Sequence, residues 1–141
     1  MRLWHYDLIS VLPNKMLVSQ WRELIAMKRQ WEKGTLKHRL VNYIIKYDKK
    51  YFLDYILSVV TEMNIRDIKF QEKYLKELVE FCGDDARRAV GIFKYPEHNK
   101  RYYEQCFYNL QEKFDRGIIT ESEYLEVRNQ RIEFHLSRKE D

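Results

Sequence analysis

The chain has 141 residues with a formal net charge of +4 and a pI near 9.0, which fits one domain. Only four glycines and two prolines interrupt it, a composition that favours an all-α fold. The two cysteines, Cys82 and Cys106, lack CxxC or Cys/His spacing, which argues against a zinc or iron–sulfur site and fits a reducing cytoplasm. No apolar run reaches membrane-spanning length and no signal peptide is recognisable, so we expect a cytoplasmic protein with no membrane partner.

The basic excess and an aromatic content of 15% suit a nucleic-acid-binding protein, although 22 acidic residues weaken that inference. Dinucleotide, NTP and α/β-hydrolase chemistry is not supported, because GxGxxG, P-loop and GxSxG motifs are missing from the sequence. The four histidines show no metal-ligand spacing, and we therefore predict no metal site.

The predicted elements begin with an ordered segment, residues 1–12, which is too apolar for a solvated tail. Asn14 is the predicted N-cap of a helix from Lys15 to about Glu32, which Gly34 ends. The apolar stripe of this helix repeats at helical spacing and should face the core; it comprises Leu17, Trp21, Leu24 and Trp31.

The polar side of the same helix carries Arg22 and Arg29, which lie about 20° apart around the axis at 100° per residue. Glu23 follows Arg22 and therefore lies about 100° from it around the helix axis. Adjacent charges on a helix usually form a solvated face, and this reading stays open beside a functional one.

The middle of the chain is predicted to contain a short helix or turn over residues 39–45. A second helix then runs from Lys49 to about Met63, with Asp48 as its N-cap. Its inward face comprises Phe52, Ile56, Val59, Val60 and Met63. A third helix spans residues 71–81 and ends at Gly83 in a left-handed cap.

The last part of the chain contains an ambiguous stretch, residues 84–93, which we interpret as a short helix broken at Gly91. A fourth helix is predicted from Pro96 to about Asp115, with Gly117 as its stop. Thr120 and Glu123 form a capping box that starts a last helix toward His135. We expect residues 137–141 to be frayed. These elements together predict a compact single-domain helical bundle over residues 1–141, with the N-terminal segment packed between helices.

The candidate chemistry lies at the start of the chain. A free α-amino group has an ordinary pKa of about 7.7–8.0, so that a useful fraction is neutral and nucleophilic near pH 7. Met1 carries that amine, Arg2 follows it, and the first helix can return Glu23 to it. An amine beside a carboxylate is a minimal Schiff-base site. Because Arg2 is bulky for the usual aminopeptidase, we expect Met1 to be retained and its own amine to be the nucleophile.

The opening of the chain resembles the pyrimidine dimer DNA glycosylases of the phage endonuclease V type. The resemblance rests on Met1-Arg2-Leu3-Trp4-His5-Tyr6, Leu8, Leu12-Pro13, Leu17 and Trp21-Arg22-Glu23-Leu24. Weaker matches are Tyr47-Asp48-Lys49 with Phe52-Leu53, and Leu110 with Glu112-Lys113. The similar regions are residues 1–33, 38–63 and 95–117, whereas residues 64–94 match little. The first region looks closest to a bacterial branch of the family.

The resemblance implies a DNA repair glycosylase that is also an abasic-site lyase and works without a metal or organic cofactor. Met1 would be the nucleophile and Glu23 the glutamate that assists proton removal. Arg2, Arg22 and Lys113 would contact damaged double-stranded DNA. Arg29, one turn after a position where the family has an arginine, and Asn109, at another such position, complete the implied DNA-binding set, in a protein expected to be a monomer.

Two other functions remain open from the sequence. A helical nucleic-acid-binding module that kept this scaffold without catalysis would bind in a salt-dependent way and form no covalent adduct. A helical protein-interaction domain would instead expose an apolar patch at the same place.

Overall fold

The computed structural model describes residues 1–83 and 90–137, and every regular element within them is helical. The five α-helices are α1 (Asn14–Glu32), α2 (Lys49–Ile65), α3 (Glu72–Cys82), α4 (Lys100–Asp115) and α5 (Glu121–Ser137). Two short 3₁₀ helices span Tyr6–Val11 and Asn42–Lys46. The all-α prediction is confirmed. In the part of the chain that is described, no helix is both long and apolar enough to cross a membrane.

The chain divides into two compact units. The first comprises residues 1–3 and 17–95, and the second comprises residues 4–16 and 96–141. The single-domain organisation that the length favours stays a prediction.

The core of the first unit is built on α2, on which α3 and the second 3₁₀ helix pack. All five side chains predicted to turn inward from α2 are buried. In α1, Leu17, Trp21 and Leu24 are also buried, as predicted. Trp31 is only partly covered and contacts Phe52, with ring centroids 5.6 Å apart. Apolar burial of this kind is the main source of stability for helices this short.

The second unit contains the N-terminal 3₁₀ helix, α4 and α5, and α5 packs on both of the others. Tyr6, Leu8 and Ile9 are buried, as expected for an N-terminal segment that packs against helices. Tyr103 of α4 stacks on Phe134 of α5, with ring centroids 3.8 Å apart.

Several predicted helix ends are confirmed. The Asp48 carboxylate accepts a hydrogen bond from the Lys50 N–H, and Gly83 adopts the left-handed conformation with φ 65°. The capping box is complete: the Thr120 N–H donates to Glu123 Oε1 at 2.8 Å, and the Glu123 N–H donates to Thr120 Oγ1 at 3.1 Å. Both bonds satisfy backbone donors that a helix start leaves without partners.

Several boundaries differ from the predictions. Asn14 is the first residue of α1 rather than its cap. Residues 39–45, predicted as a short helix or turn, comprise turns at residues 39–41 and most of the second 3₁₀ helix, which ends at Lys46. Helix α4 begins at Lys100 instead of Pro96, because the Asn99 side chain accepts from the Tyr102 N–H at 2.9 Å and provides the cap. This side-chain cap outweighs the preference of proline for a first helical position.

The end of α2 extends to Ile65, beyond the predicted Met63. Asp67 adopts a left-handed conformation, with φ 58°, and the Ile68 N–H donates to the Met63 carbonyl at 2.8 Å. The helix therefore ends at a residue in the left-handed conformation. Such a position is usually occupied by glycine, but here it is Asp67.

The stretch interpreted as a short helix over residues 84–93 is described only from residue 90, and residues 90–93 form bends, not a helix. The reason is the fully buried Asp54 of α2, whose carboxylate accepts hydrogen bonds from the N–H groups of Gly91, Ile92 and Phe93 at 2.8–2.9 Å. Amides directed at one carboxylate are not available for helical bonds. Residues 84–89 lie outside the described residues.

The expected frayed end is described only at Ser137, which is the last residue of α5. Residues 138–141 lie outside the described residues.

Two buried histidines accept hydrogen bonds from backbone amides at the start of the second unit. The Tyr6 N–H donates to His98 Nδ1 at 3.2 Å, and the Asp7 N–H donates to His5 Nδ1 at 3.0 Å. The two rings lie 5.4 Å apart between centroids. Burial, reinforced by the neighbouring His5, lowers the pKa of His98 from 6.5 to about 3. His98 is therefore a neutral hydrogen-bond acceptor in the folded protein at neutral pH.

This arrangement predicts acid-sensitive stability. Since the folded-state pKa of His98 is depressed, its contribution is complete above pH 6.5 and is lost as the pH falls toward 3. The expected slope is about 1.4 kcal/mol per pH unit for this one group. Urea unfolding between pH 4.5 and 7.5 measures it. His98→Asn should remove this slope, whereas His38→Gln, a change at an exposed histidine, should retain it. Equal slopes in the wild type and His98→Asn would contradict the assignment.

Candidate active site

The α-amine of the chain lies beside a carboxylate of α1. The Met1 nitrogen is 3.6 Å from Glu23 Oε2, and the side chains of these two residues are 17% and 31% exposed. This distance is that of an ion pair rather than of a short hydrogen bond. The two groups therefore interact chiefly through their charges, and both side chains are partly exposed.

The first residues of the chain are attached to α1 through the backbone of Arg2. Leu3 is fully buried, and the Arg2 carbonyl accepts a hydrogen bond from Gln20 Nε2 at 2.8 Å. The other end of the same amide, Gln20 Oε1, accepts from the Tyr55 hydroxyl at 2.9 Å. Both side chains are fully buried. The chain is thus fixed to the helix one residue after the amine.

Sequence reasoning missed Gln20 and Tyr55. The available signal was position: Gln20 is three residues after Leu17 and four before Leu24, so it lies within the buried stripe of α1. A polar residue on such a stripe requires a buried partner. Tyr55 gave no comparable signal, because a tyrosine on a helix is usually explained by packing.

The predicted DNA-binding arginines of the first unit are accessible to different degrees. Arg22 and Arg29 are exposed on α1, and Arg2 is partly buried. The Arg29 guanidinium lies over the Tyr74 ring, 5.6 Å from its centroid. All three residues belong to the unit that contains the amine and Glu23.

A cavity of about 390 Å³ opens beside Arg22. Its walls combine aromatic rings, a second cation and aliphatic side chains: Trp21, Phe70, Tyr74, Lys69, Val18 and Ile25, with Met63 and Gln71. The rings of Trp21 and Phe70 lie 5.2 Å apart between centroids. Its volume is typical of small-molecule sites, and aromatic walls with adjacent cations suit a planar base joined to a phosphate.

The remaining predicted site residues, Asn109 and Lys113, lie on α4 and are partly buried. They belong to the second unit. The first unit thus brings together Met1, Glu23 and the arginines near the start of the chain, while the proposed role of the two α4 residues rests on the resemblance alone.

The chemistry available to this site is that of an amine and a general base. A neutral amine is a nucleophile toward an electron-poor carbon, and a nearby carboxylate can remove a proton or stabilise a cation that forms there. Among residues 1–83 and 90–137, no group of three or more His, Cys, Asp or Glu side chains is arranged to hold a metal ion.

Comparison with known proteins shows the family to which the chain belongs. The sequence model of the pyrimidine dimer DNA glycosylase family matches residues 1–76, which is more than half of the chain. The match includes residues 64–76, where little similarity was expected, and stops before residues 95–117. No curated protein and no solved structure gives a significant match. The family match covers the whole segment that carries the amine, Glu23 and the cavity, and the chain is a member of the pyrimidine dimer DNA glycosylase family of DNA repair enzymes.

Proposed function

We propose that this DNA glycosylase uses the Met1 α-amine as its nucleophile and is also an abasic-site lyase acting through a Schiff base. The observation that carries the proposal is the 3.6 Å separation between the Met1 nitrogen and the Glu23 carboxylate. Chain ends usually fray into solvent. An amine held beside a carboxylate, in a family of DNA glycosylases, supports a role for that amine in covalent catalysis.

In the first proposed step, the lone pair of the neutral amine attacks C1′ of the damaged nucleotide. The bond from C1′ to the base breaks, and the base leaves with that electron pair and takes up a proton. The attacking nitrogen loses a proton, and its lone pair then forms a double bond to C1′ as the bond between C1′ and O4′ breaks. O4′ leaves with the electron pair of that bond and takes up a proton, which opens the sugar. The product is a protonated imine that joins C1′ to the protein.

In the second step, a base removes a proton from C2′, and the electron pair of that C–H bond shifts toward the imine. The bond between C3′ and its oxygen then breaks, which cuts the strand on the 3′ side by β-elimination. Water finally hydrolyses the imine and restores the amine. We assign proton removal and stabilisation of the cationic imine to Glu23, the carboxylate next to the amine. This scheme requires neither a metal ion nor an organic cofactor.

We assign substrate binding to the basic side of α1. Arg22 and Arg29 would pair with phosphates flanking the lesion, and Arg2 would contact the strand beside the amine. The cavity next to Arg22 would receive a base that leaves the stack. Unstacking costs a few kcal/mol and is least costly at damaged positions. Asn109 and Lys113 complete the proposed DNA-binding set.

The direct test of the proposal is reductive trapping on duplex DNA that contains one abasic site. Borohydride should reduce the imine to a stable adduct between protein and DNA, and mass spectrometry of the digested adduct should locate it on Met1. Duplexes carrying a pyrimidine dimer should also give the adduct, whereas undamaged duplexes should not.

The matched control is the same protein with two extra residues before Met1. Because the extension converts the Met1 amine into an amide, trapping should fall to background while DNA binding persists. An adduct on a lysine, or no adduct with the wild type, would contradict the proposal. The latter result would favour the non-catalytic nucleic-acid-binding module.

Replacement of the carboxylate tests the role of Glu23. Glu23→Gln should lower strand cleavage at least about 10²-fold, because general-base catalysis contributes roughly that much or more, and should change DNA affinity little. Single-turnover cleavage with saturating enzyme measures the effect. Glu32→Gln, on the same helix and 47% exposed at its side chain, is the matched control and should leave the rate unchanged. Wild-type cleavage by Glu23→Gln would exclude the assigned role.

A pair of variants separates phosphate contact from base stacking. Arg22→Ala should weaken DNA binding and reduce the slope of log affinity against log salt by about one, since each neutralised phosphate contributes roughly that amount. Phe70→Ala should weaken binding to damaged duplexes with an unchanged salt slope, because stacking on this wall of the cavity releases no counterions. Fluorescence anisotropy over a range of salt concentrations measures both.

Arg128→Ala, a change at an exposed arginine on α5, provides the control and should leave the affinity and its salt slope unchanged. An unchanged salt slope in Arg22→Ala would remove Arg22 from the DNA-binding set.

A further inference from the structure

Gln20 is a buried polar residue of the first unit. It is fully buried on an otherwise apolar stripe of α1, and both ends of its amide are used. Its Nε2 donates to the Arg2 carbonyl at 2.8 Å, and its Oε1 accepts from the Tyr55 hydroxyl at 2.9 Å. A buried chain of hydrogen bonds, in which both ends of the amide are paired, is rigid. It specifies one arrangement of the groups that it joins.

The hydrogen bonds of Gln20 reach the backbone close to the terminal amine. The bonded carbonyl belongs to Arg2, so that a single residue separates the fixed point from the amine of Met1. Leu3, the next residue, is fully buried. With Arg2 and Leu3 held, few torsions remain that could move the amine away from Glu23, which is on the same helix as Gln20 and three residues further along.

The chemistry of the side chain is also specific. An amide supplies the donor that the carbonyl requires and the acceptor that the tyrosine requires, and it carries no charge. A glutamate at this position could still accept from Tyr55, but when ionised it could not donate to the carbonyl. It would also place another carboxylate in the buried stripe near the amine, where an unpaired charge is costly.

We infer that Gln20, itself oriented by Tyr55, is a positioning residue that holds the Met1 amine in its reactive place beside Glu23. The inference rests on the proposed function, because it concerns the nucleophile of that scheme. Neither side chain is assigned contact with DNA. They act through the backbone of Arg2, and their loss should slow attack on C1′ by a larger factor than it weakens substrate binding.

The test combines three variants with two measurements. Gln20→Met removes both hydrogen bonds at similar volume, Gln20→Glu removes the donor to Arg2, and Tyr55→Phe removes only the hydroxyl. The first measurement is the single-turnover rate of adduct formation on abasic duplex DNA at saturating enzyme, alongside the Kd. The second is hydrogen exchange of the Leu3 amide in the free protein, which reports on the attachment without DNA.

We expect Gln20→Met and Gln20→Glu to slow adduct formation at least about 10-fold, because small displacements of reacting groups are costly. Kd should change by a smaller factor, since Arg2 is one of several proposed DNA contacts. Tyr55→Phe should have a smaller effect of the same kind. The double variant Gln20→Met/Tyr55→Phe should be no slower than Gln20→Met, since Tyr55 acts through Gln20. Exchange at Leu3 should be faster in both Gln20 variants.

Val60→Ala controls for general loss of stability. Val60 is buried on α2, the helix that carries Tyr55, and its truncation weakens the core without removing either hydrogen bond. If Val60→Ala, compared at equal fraction folded, slows adduct formation as much as Gln20→Met does, the positioning role is wrong. Unchanged adduct formation in the Gln20 variants, or unchanged exchange at Leu3, would overturn it as well.

Different results would refute the proposed function and the positioning role of Gln20. A wild-type protein that forms no adduct refutes the proposed function and this inference with it. A wild-type protein that forms the adduct on Met1, together with Gln20 variants that form it equally fast, refutes the inference alone.

Discussion

The contact between the terminal amine and Glu23 depends on holding the end of a polypeptide in place. A side-chain nucleophile inherits its position from a helix or strand, whereas a terminal amine has chain on one side only. In this protein the constraint is met by burying the residues that follow. Leu3 enters the core of the first unit, and the Arg2 carbonyl is bonded to α1. Without those contacts, the conformational entropy of a free chain end would favour many other positions of the amine over the one beside Glu23.

Helix α1 satisfies several requirements at once because its faces differ. One stripe is buried and carries Gln20 among apolar residues, while the adjacent side presents Glu23 to the amine. Arg22 lies on the exposed side, next to the cavity. A single helix therefore relates Gln20, Glu23 and Arg22 by fixed rotations of about 100° per residue. Such rigid spacing would suit the roles proposed for these groups at one nucleotide.

Local sequence signals predicted the features that depend on a few neighbouring residues. Asp48 caps α2, Gly83 ends α3, and Thr120 starts α5 with its capping box, as their positions indicated. Met1 and Glu23 are neighbours as the family resemblance implied. Each of these predictions needed only helical periodicity, cap chemistry or a motif at the start of the chain.

The features that sequence reasoning missed are buried polar contacts between distant segments. Asp54 holds the amides of residues 91–93, and Tyr55 meets Gln20 across a separation of 35 residues. Their partners are set by packing, which no local pattern encodes. The late start of α4 has a local cause, the Asn99 cap, which competed with Pro96 as an N-terminal signal.

The location of Trp21 has a practical consequence for studying this enzyme. The indole is a natural chromophore whose emission responds to polarity and to stacked rings, and here it forms part of a cavity wall beside Arg22. The ring of Phe70 adjoins it at 5.2 Å. Because Trp4 and Trp31 also emit, phenylalanine at both of those positions would isolate the Trp21 signal. A change in that signal would then report, without an attached dye, the entry of a planar aromatic ligand into the cavity.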